Sequence, residues 1–248
     1  MKKTAVFANQ KGGVGKTTCT VNIGFELARR GRPVLLVDMD PQGNLTSWCG
    51  IDPDECGKTV YDVLKGAAAL EDVLIRIQDN LWLAPSNILL ASVEREIFAA
   101  IGYERILKRA LRPELERFEH ILIDCPPSLG ALTINGLVAG DEVYIAVACE
   151  HLSVIGTGKL LETIDAVKEN YNPSLGIGRV IPTMYTKTVL AGEMLRQLGS
   201  FFGDKLAGTP IRRNVKIGES SAMGRSIMDY DPRSIGAEDF LNLVEELI

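Results

Sequence analysis

The chain has 248 residues, of which 46% are hydrophobic and 24% are charged, and its formal net charge is −5. This length and apolar content allow one sizeable core, and without a linker, repeat or low-complexity segment we predict a single domain over residues 1–248. No apolar run approaches the roughly 18 residues of a membrane span, and the negative charge excludes indiscriminate nucleic-acid binding by the whole surface.

The amino-terminal residues predict a strand, a glycine-rich loop and a helix. The apolar run 4–8 is typical of a strand, and Val21, Phe25 and Ala28 recur at helical spacing. The stretch 9–18 between them has the context of a phosphate-binding loop, in which backbone N–H groups converge on an anion at a helix N-terminus. Because the leading apolar run is too short for a secretory signal, we expect a cytoplasmic protein.

The loop departs from the general pattern G-x-x-x-x-G-K-[ST], because Gln10 stands where the first glycine is expected. A second lysine, Lys11, starts the loop, and Lys16 and Thr17 end it. Lys16 offers a positive charge to phosphate, and the Thr17 hydroxyl is placed to bind Mg²⁺. A turn without a ligand is disfavoured, because the crowded lysines would repel each other without an anion. The predicted phosphate-binding residues are Lys11, Gly12, Gly13, Val14, Gly15, Lys16, Thr17 and Thr18.

The rest of the chain alternates strands with helices. Further strands are predicted at 33–38, 80–85, 118–124, 141–147 and 177–184, with a short strand or connector at 207–211. Helices are predicted at 60–64 after the cap Thr59, at 88–111, at 153–170 after the cap Ser153, and at 189–202, 215–223 and 235–247. This alternation predicts an α/β fold with a doubly wound, mostly parallel sheet flanked by helices.

Three acidic residues are expected to meet at the carboxyl ends of strands, where ligands bind in such sheets. Asp124 ends an apolar strand, as a Walker B carboxylate near a metal does, although an acid that only caps the next turn has the same pattern. Asp38 and Asp40 end the strand 33–38, and their spacing points them to opposite sides, so we expect different roles. One acceptor must position water for attack on a γ-phosphate, and position alone does not say which.

These motifs resemble the ParA/Soj partition ATPases of the deviant Walker A group, which also contains MinD. The resemblance is carried by the second lysine, by D-x-D-P-Q at 38–42 and by D-x-P-P-S at 124–128, and it extends from residue 3 to about residue 240. It implies a P-loop ATPase that binds ATP and Mg²⁺, hydrolyses ATP slowly, and is stimulated by a partner protein.

The resemblance also implies roles for individual residues. Asp40 is expected to orient the attacking water, and the implied catalytic set is Lys11, Lys16 and Asp40. The implied metal-site residues are Thr17, Asp38 and Asp124. Lys11 is expected to reach the nucleotide of a facing subunit, so that ATP seals a homodimer, the alternative being that it serves only its own nucleotide. Segments 183–185 and 211–214 resemble family segments near the adenine and the dimer interface, so Met184, Arg212 and Asn214 are expected to contact the nucleotide.

The stretch 179–225 is basic, with eight Lys or Arg against three acids, and an acidic tail follows it. Such a local basic face predicts non-specific binding of double-stranded DNA through phosphate contacts. The candidates are Lys187, Arg212, Arg213, Lys216 and Arg225. The alternative for each of them taken singly is a solvated surface charge without a ligand. The resemblance adds a ParB-like adaptor that stimulates hydrolysis, and association with the nucleoid. Too little chain precedes the loop for an N-terminal helix-turn-helix, so we expect no sequence-specific repression.

Three other functions compete with DNA partitioning. A MinD-type membrane cycle needs a basic amphipathic C-terminal helix, whereas residues 238–248 are acidic, so we expect no membrane partner. A metal-cluster carrier is disfavoured because the five cysteines form no C-x-x-C pair. ParA-like positioning of another cargo stays open, because the same ATPase would drive it.

Overall fold

Seven strands form one sheet in the order β3-β4-β2-β5-β1-β6-β7 in the computed structural model, which describes residues 2–98, 101–150 and 157–248. The strands are β1 (Lys3–Phe7), β2 (Val34–Asp38), β3 (Ile75–Gln78), β4 (Leu81–Ala84), β5 (His120–Asp124), β6 (Glu142–Ala148) and β7 (Gly176–Thr183). Only β3 pairs antiparallel with its neighbour, and the other pairs are parallel. The predicted α/β fold with a mostly parallel sheet is confirmed.

Helices cover both faces of the sheet. They are α1 (Lys16–Arg29), α2 (Asn44–Trp48), α3 (Val60–Leu64), α4 (Leu90–Ile97), α5 (Ile106–Leu111), α6 (Ala131–Ala139), α7 (Gly158–Asn170), α8 (Val189–Phe202), α9 (Val215–Ala222), α10 (Ile227–Tyr230) and α11 (Ile235–Leu247). Alternate residues of β2 belong to opposite cores: Leu36 lies in the core that includes residues of α1 and α11, and Leu35 lies in the core that includes residues of α3 to α8. A strand buried on both faces must be apolar at every position, which explains the continuous apolar run.

Several predicted elements are confirmed closely. Helices α8 and α11 have the predicted bounds. The side chain of Thr59 accepts from the backbone N–H of Tyr61, so Thr59 caps α3 as expected, and Asp62 accepts from the backbone N–H of Thr59 and completes a capping box. Gly31 follows α1 at a φ of 79°, the left-handed conformation that favours glycine after a helix.

Other predictions needed correction. The predicted helix 88–111 is two helices, α4 and α5, and Gly102 adopts a φ of 72° between them. Of the two alternatives for residues 207–211, the connector is confirmed and the strand is not; the segment is flanked by the isolated bridges Val180 to Leu206 and Tyr185 to Arg212. The predicted cap Ser153 lies outside the described residues, within which α7 begins at Gly158.

Four elements were not predicted. Helices α2 and α10 are too short, at five and four residues, to show a helical period. Helix α6 is apolar on nearly all sides, because it is buried against the sheet, and β3 is a half-exposed edge strand of four residues. Within the described ranges, no helix combines the length and apolarity required to span a membrane.

Candidate functional site

The glycine-rich loop between β1 and α1 leaves a helix N-terminus open. Gly13 and Gly15 adopt φ values of 70° and 92°, which a side chain would strain. Gly15 caps α1 without a side chain, so no side-chain oxygen takes up the first N–H groups of the helix. The Thr183 hydroxyl donates to the carbonyl oxygen of Val14 at 2.7 Å and fixes the loop to the end of β7. The loop is therefore held in a shape that can accept a phosphate.

Lys16 is the first residue of α1, and only 6% of it is exposed. Burial lowers the pKa of Lys16, and the nearby Asp124, Cys125 and Asp40 offset this effect in part. A buried ammonium group is costly unless an anion compensates it. A phosphate on the loop would supply that compensation.

Asp124 lies at the end of β5, level with Phe7 of β1 and Asp38 of β2. Thr17 Oγ1 donates to Asp124 Oδ2 at 2.6 Å, and Thr20 Oγ1 donates to Oδ1 at 3.3 Å. Burial raises the pKa of Asp124 to about 8, and the neighbouring Asp38 carboxylate adds to the rise. A hydroxyl and a carboxylate in contact are oxygen donors of the type that Mg²⁺ prefers.

Asp38 is fully buried, and protein donors occupy both of its oxygens. Oδ1 accepts from the backbone N–H of Asp40 at 3.1 Å, and Oδ2 accepts from the backbone N–H and the hydroxyl of Thr46 at 2.9 and 2.7 Å. Burial raises the pKa of Asp38 to about 7. In these contacts Asp38 fastens the start of α2 to the end of β2, and its predicted place near a metal stays a prediction.

Asp40 is nearly as buried as Asp38, but it lies beside a cavity. Its Oδ1 accepts from the backbone N–H of Gln42 at 2.9 Å, and its carbonyl oxygen accepts from Ser86 Oγ at 2.8 Å. The side chain lines a cavity of about 400 Å³, together with Gly12, Gly13, Lys16, Thr17 and Thr18 of the loop. The two acids thus have different surroundings, as their spacing predicts.

A second cavity, of about 380 Å³, adjoins the first. The predicted nucleotide contacts Met184, Arg212 and Asn214 all line it, and Met184 has the left-handed φ of 52°. Both cavities share the lining residues Gly15, Thr18, Trp48, Met184 and Ser221. The pair forms a continuous site with a polar, phosphate-binding end and a more apolar end.

The sequence reasoning missed several lining residues of this site. They are Gln42, Asn44, Ser47 and Trp48, near or within α2, Pro127, and Ile217, Gly218 and Ser221 of α9. The D-x-D-P-Q motif could have indicated Gln42, which is its last residue, and Asn44, which lies two positions after it. Neither α2 nor α9 carries a local signal that places it at the site.

The predicted DNA contacts have different partners. The guanidinium of Arg212 forms ion pairs with Asp239 and Glu238 at 2.5 and 2.6 Å, and these hydrogen bonds raise its pKa. Arg213 lies 3.3 Å from Glu150, and the Nζ atom of Lys11 lies 3.7 Å from the same carboxylate. The charge of Arg212 is therefore neutralised locally, and Glu150 connects the loop lysine to the basic stretch.

The remaining basic candidates lie near the surface. The backbone N–H of Arg213 donates to the carbonyl oxygen of Tyr185 at 2.9 Å, which brings the exposed Lys187 beside the start of α9. Lys216 pairs with Glu219 at 2.8 Å. Arg225, after α9, is exposed and donates to the backbone oxygen of Asp229.

The described residues contain no cluster of three or more His, Cys, Asp or Glu that could hold a metal ion. Thr17 and Asp124 alone would leave most positions of a Mg²⁺ ion to phosphate and water, which is the usual arrangement in nucleotide sites. The five cysteines are free thiols.

Comparison with known proteins identifies the family of the chain. The chain matches the AAA domain family over residues 2–177. It is 44% identical to the chromosome-partitioning ATPase Soj of Treponema pallidum over 250 residues, covering 100% of this chain and 98% of the relative. It is also 44% identical to the sporulation initiation inhibitor protein Soj of Bacillus subtilis, with the same coverage of both chains.

A solved structure with bound ADP and magnesium has the same fold. It is described as cobyrinic acid a,c-diamide synthase from Mycobacterium smegmatis, and it is similar to this chain with a TM-score of 0.89 and 37% identity over 100% of this chain and 94% of that one. The phosphate loop with its second lysine, the acids at the strand ends and the full-length similarity lead to one conclusion. The chain belongs to the ParA/Soj family of deviant Walker A partition ATPases.

Proposed function

We propose that this chain is an ATP-dependent DNA-partitioning ATPase that serves a chromosome or a plasmid. The observation that carries the proposal is that Lys16, Thr17 and Asp40 line one cavity, with the buried Asp124 hydrogen-bonded to Thr17 behind it. The Soj relative from Treponema pallidum, with 44% identity over the whole chain, is named for chromosome partitioning.

In this proposal the loop and Lys16 bind the phosphates of ATP, and the second cavity receives the sugar and base. Thr17 and Asp124 would hold Mg²⁺, which would supply positive charge beside the phosphates. Asp40 accepts a hydrogen bond from the attacking water and aligns it with the γ-phosphate. Asp38 holds α2 and Asp40 in place through the hydrogen bonds described above.

Lys11 serves a second copy of the chain. It starts the loop, its side chain is 48% exposed, and its Nζ atom lies 3.7 Å from the carboxylate of Glu150. Two anionic nucleotides that meet at a two-fold axis need cations from across the interface. Lys11 of each copy supplies one, so that the dimer forms when ATP is bound.

The dimer then binds DNA without sequence preference, and hydrolysis releases it. Lys187, Arg213, Lys216 and Arg225 supply the phosphate contacts, and two copies double their number. A ParB-like adaptor stimulates the slow hydrolysis, so that the protein leaves the nucleoid where the cargo lies. The C-terminal helix α11 buries Phe240 in the core, so its apolar side is engaged with protein rather than with lipid.

The test is binding of an arbitrary duplex DNA with MgATP, with MgADP and without nucleotide, at two salt concentrations. We expect binding only with ATP, and a loss of affinity of about tenfold or more when salt is raised fourfold. A variant with Lys187, Arg213, Lys216 and Arg225 changed to Ala should lose this binding. A control with the exposed Lys58, Arg76, Lys108 and Arg109 changed to Ala should keep it.

Two results would contradict the proposal. One is binding that is equal with and without ATP, and the other is no binding at low salt with ATP. If ATPase stimulation came from a partner on some other cargo and DNA had no effect, positioning of that cargo would replace DNA partitioning.

A further inference from the structure

Trp48 lies where the two cavities of the site meet. It is the last residue of α2, and only 6% of it is exposed. It lines both cavities. Lys16 and Thr17 of the loop line only the first cavity, Ile217 lines only the second, and Met184 lines both. A nucleotide that filled both cavities would therefore lie against the indole ring, which offers a large apolar surface.

The indole of Trp48 also holds a distant segment. Its Nε1–H donates to the carbonyl oxygen of Arg225 at 2.9 Å, across 177 positions of sequence. Beside this bond, Gly224 packs so closely on Gly50 that a Cβ atom at position 224 would lie 3.1 Å from the Gly50 Cα. The end of α2 is thus fastened to residues 224–225 at two adjacent points.

The start of α2 is fastened to the acids of the site. Thr46 donates twice to Asp38, and the Ser86 backbone N–H donates to the Thr46 hydroxyl at 2.9 Å. Helix α2 is only five residues long, so one rigid turn separates the Asp38–Asp40 end from the Trp48 end. A change at either end reaches the other without an intervening flexible loop.

The segment after Arg225 is anchored to α1 as well. The backbone N–H of Ile227 donates to Asn22 Oδ1 at 2.8 Å, and Asn22 Nδ2 donates to the carbonyl oxygen of Thr18 at 2.8 Å. Residues 225–227 therefore bridge α1, which carries the phosphate loop, and α2, which carries Trp48. Their position depends on how these two helices lie relative to each other.

We propose that Trp48 is a positioning residue that couples nucleotide occupancy of the two cavities to the placement of Arg225. This inference rests on the proposed function, because it takes Arg225 as a DNA contact. Nucleotide contacts one face of the indole, and the indole N–H holds the backbone of Arg225 in the orientation that presents its guanidinium to DNA.

The first test uses fluorescence, because the chain has two tryptophans. Trp82 lies on β4, packs against Phe118 at 5.4 Å, and lines neither cavity. In Trp82→Phe, which leaves Trp48 as the sole reporter, MgATP and MgADP should change the emission. In Trp48→Phe they should not. An unchanged emission in Trp82→Phe at saturating MgATP overturns the proposal.

The second test separates coupling from nucleotide affinity. Trp48→Phe keeps an aromatic ring against the nucleotide and removes the N–H donor, so we expect DNA binding measured at saturating MgATP to weaken about five- to tenfold, and the Kd for MgATP to rise by a clearly smaller factor. Arg225→Ala should weaken DNA binding without altering the response of Trp48. The variant with both substitutions should bind DNA no more weakly than the single variant with the larger loss, because the effects of coupled residues do not add.

Three outcomes would overturn the coupling: DNA binding of Trp48→Phe equal to that of the unmodified chain, losses of ATP and DNA affinity in parallel, or additive losses in the double variant. A failure of the unmodified chain to bind DNA with ATP would instead contradict the proposed function. In that case the fluorescence test would still decide whether the nucleotide contacts Trp48.

Discussion

The acids at the strand ends and the basic residues between 187 and 225 are held in opposite ways. Asp38 and Asp124 are fully buried, and hydroxyl or backbone donors within 3.3 Å surround their oxygens. Lys187 and Arg225 are exposed, and the one ion pair of Lys216 has side chains 43% exposed. The acids are therefore fixed in position by hydrogen bonds, whereas most of the cations only add positive charge to the surface.

This difference has an energetic consequence. When one member of a buried hydrogen bond is removed, the group that remains is unsatisfied, and stability falls by its desolvation free energy. An exposed ion pair contributes little to stability. Single substitutions should therefore act strongly at the strand ends and weakly in the basic stretch, where only combined changes matter. The five predictions that follow probe this contrast in order of expected effect.

Lys16→Ala should have the largest effect. It removes the buried ammonium at the phosphate loop, so we expect MgATP binding to weaken at least about tenfold and hydrolysis to fall below detection. Lys58→Ala is the matched control, because this exposed lysine lines neither cavity and its loss should leave nucleotide binding unchanged. Calorimetric titration and phosphate release measure both, and equal nucleotide affinities of the two variants would contradict the assignment.

Asp40→Ala should separate binding from chemistry. Loss of the water-positioning carboxylate should lower the hydrolysis rate about 100-fold, while ATP binding and dimerisation persist. Asp54→Ala, an exposed acid nearby, should hydrolyse ATP normally. Single-turnover hydrolysis with sedimentation in ATP gives both readouts. Normal turnover in Asp40→Ala would remove the water-orienting role.

Asp38→Asn should change how the stability of the nucleotide-free protein depends on pH. The folded-state pKa of Asp38, about 7, is above its unfolded value of about 3.9, so its protonated form stabilises the fold at low pH. That stability is lost as pH rises through 7. Unfolding by urea at pH 5 and pH 8 should show a smaller drop for Asp38→Asn, by about 2 kcal/mol. An equal drop in both proteins would contradict the shifted pKa.

Glu150→Gln should strengthen DNA binding modestly, in contrast to the losses expected of the other variants. Glu150 contacts both Lys11 and Arg213, and all three side chains are about half-exposed or more. Removal of its charge frees these two cations, so we expect DNA affinity at low salt to rise about two- to threefold. Glu162→Gln, an exposed change of the same charge, should not reproduce the increase. A decrease in affinity would show that Glu150 does not restrain the cations.

Lys187→Ala should have the smallest effect. Lys187 is exposed, so its loss should weaken DNA binding less than about threefold and reduce the salt dependence by about one phosphate contact. Lys58→Ala is the control for a surface lysine outside the basic stretch. Filter binding over a range of salt concentrations tests both. If Lys187→Ala lost as much DNA affinity as the variant with all four basic residues changed, Lys187 would have to form a specific, ordered contact rather than add surface charge.

Local patterns were enough to predict most of the fold. Continuous apolar runs marked β1, β2, β5 and β6, because strands buried on both faces have no polar positions. Amphipathic spacing marked α8 and α11 with their correct bounds. Helix α2 and strand β3 were missed, since they are five and four residues long and are held by neighbours rather than by their own periodicity.

The sequence by itself determined the ligand end of the site: a glycine loop that needs positive φ, a lysine, a threonine, and acids placed by strand ends that meet at one edge of a parallel sheet. Tertiary structure alone decided that both oxygens of Asp38 are occupied, that Glu150 lies beside both Lys11 and Arg213, and that Trp48 joins the two cavities to Arg225. The physical reason is the separation along the sequence of the residues that interact. Backbone conformation and burial on a strand have local signatures, whereas a hydrogen bond across 177 residues has none until the chain has folded.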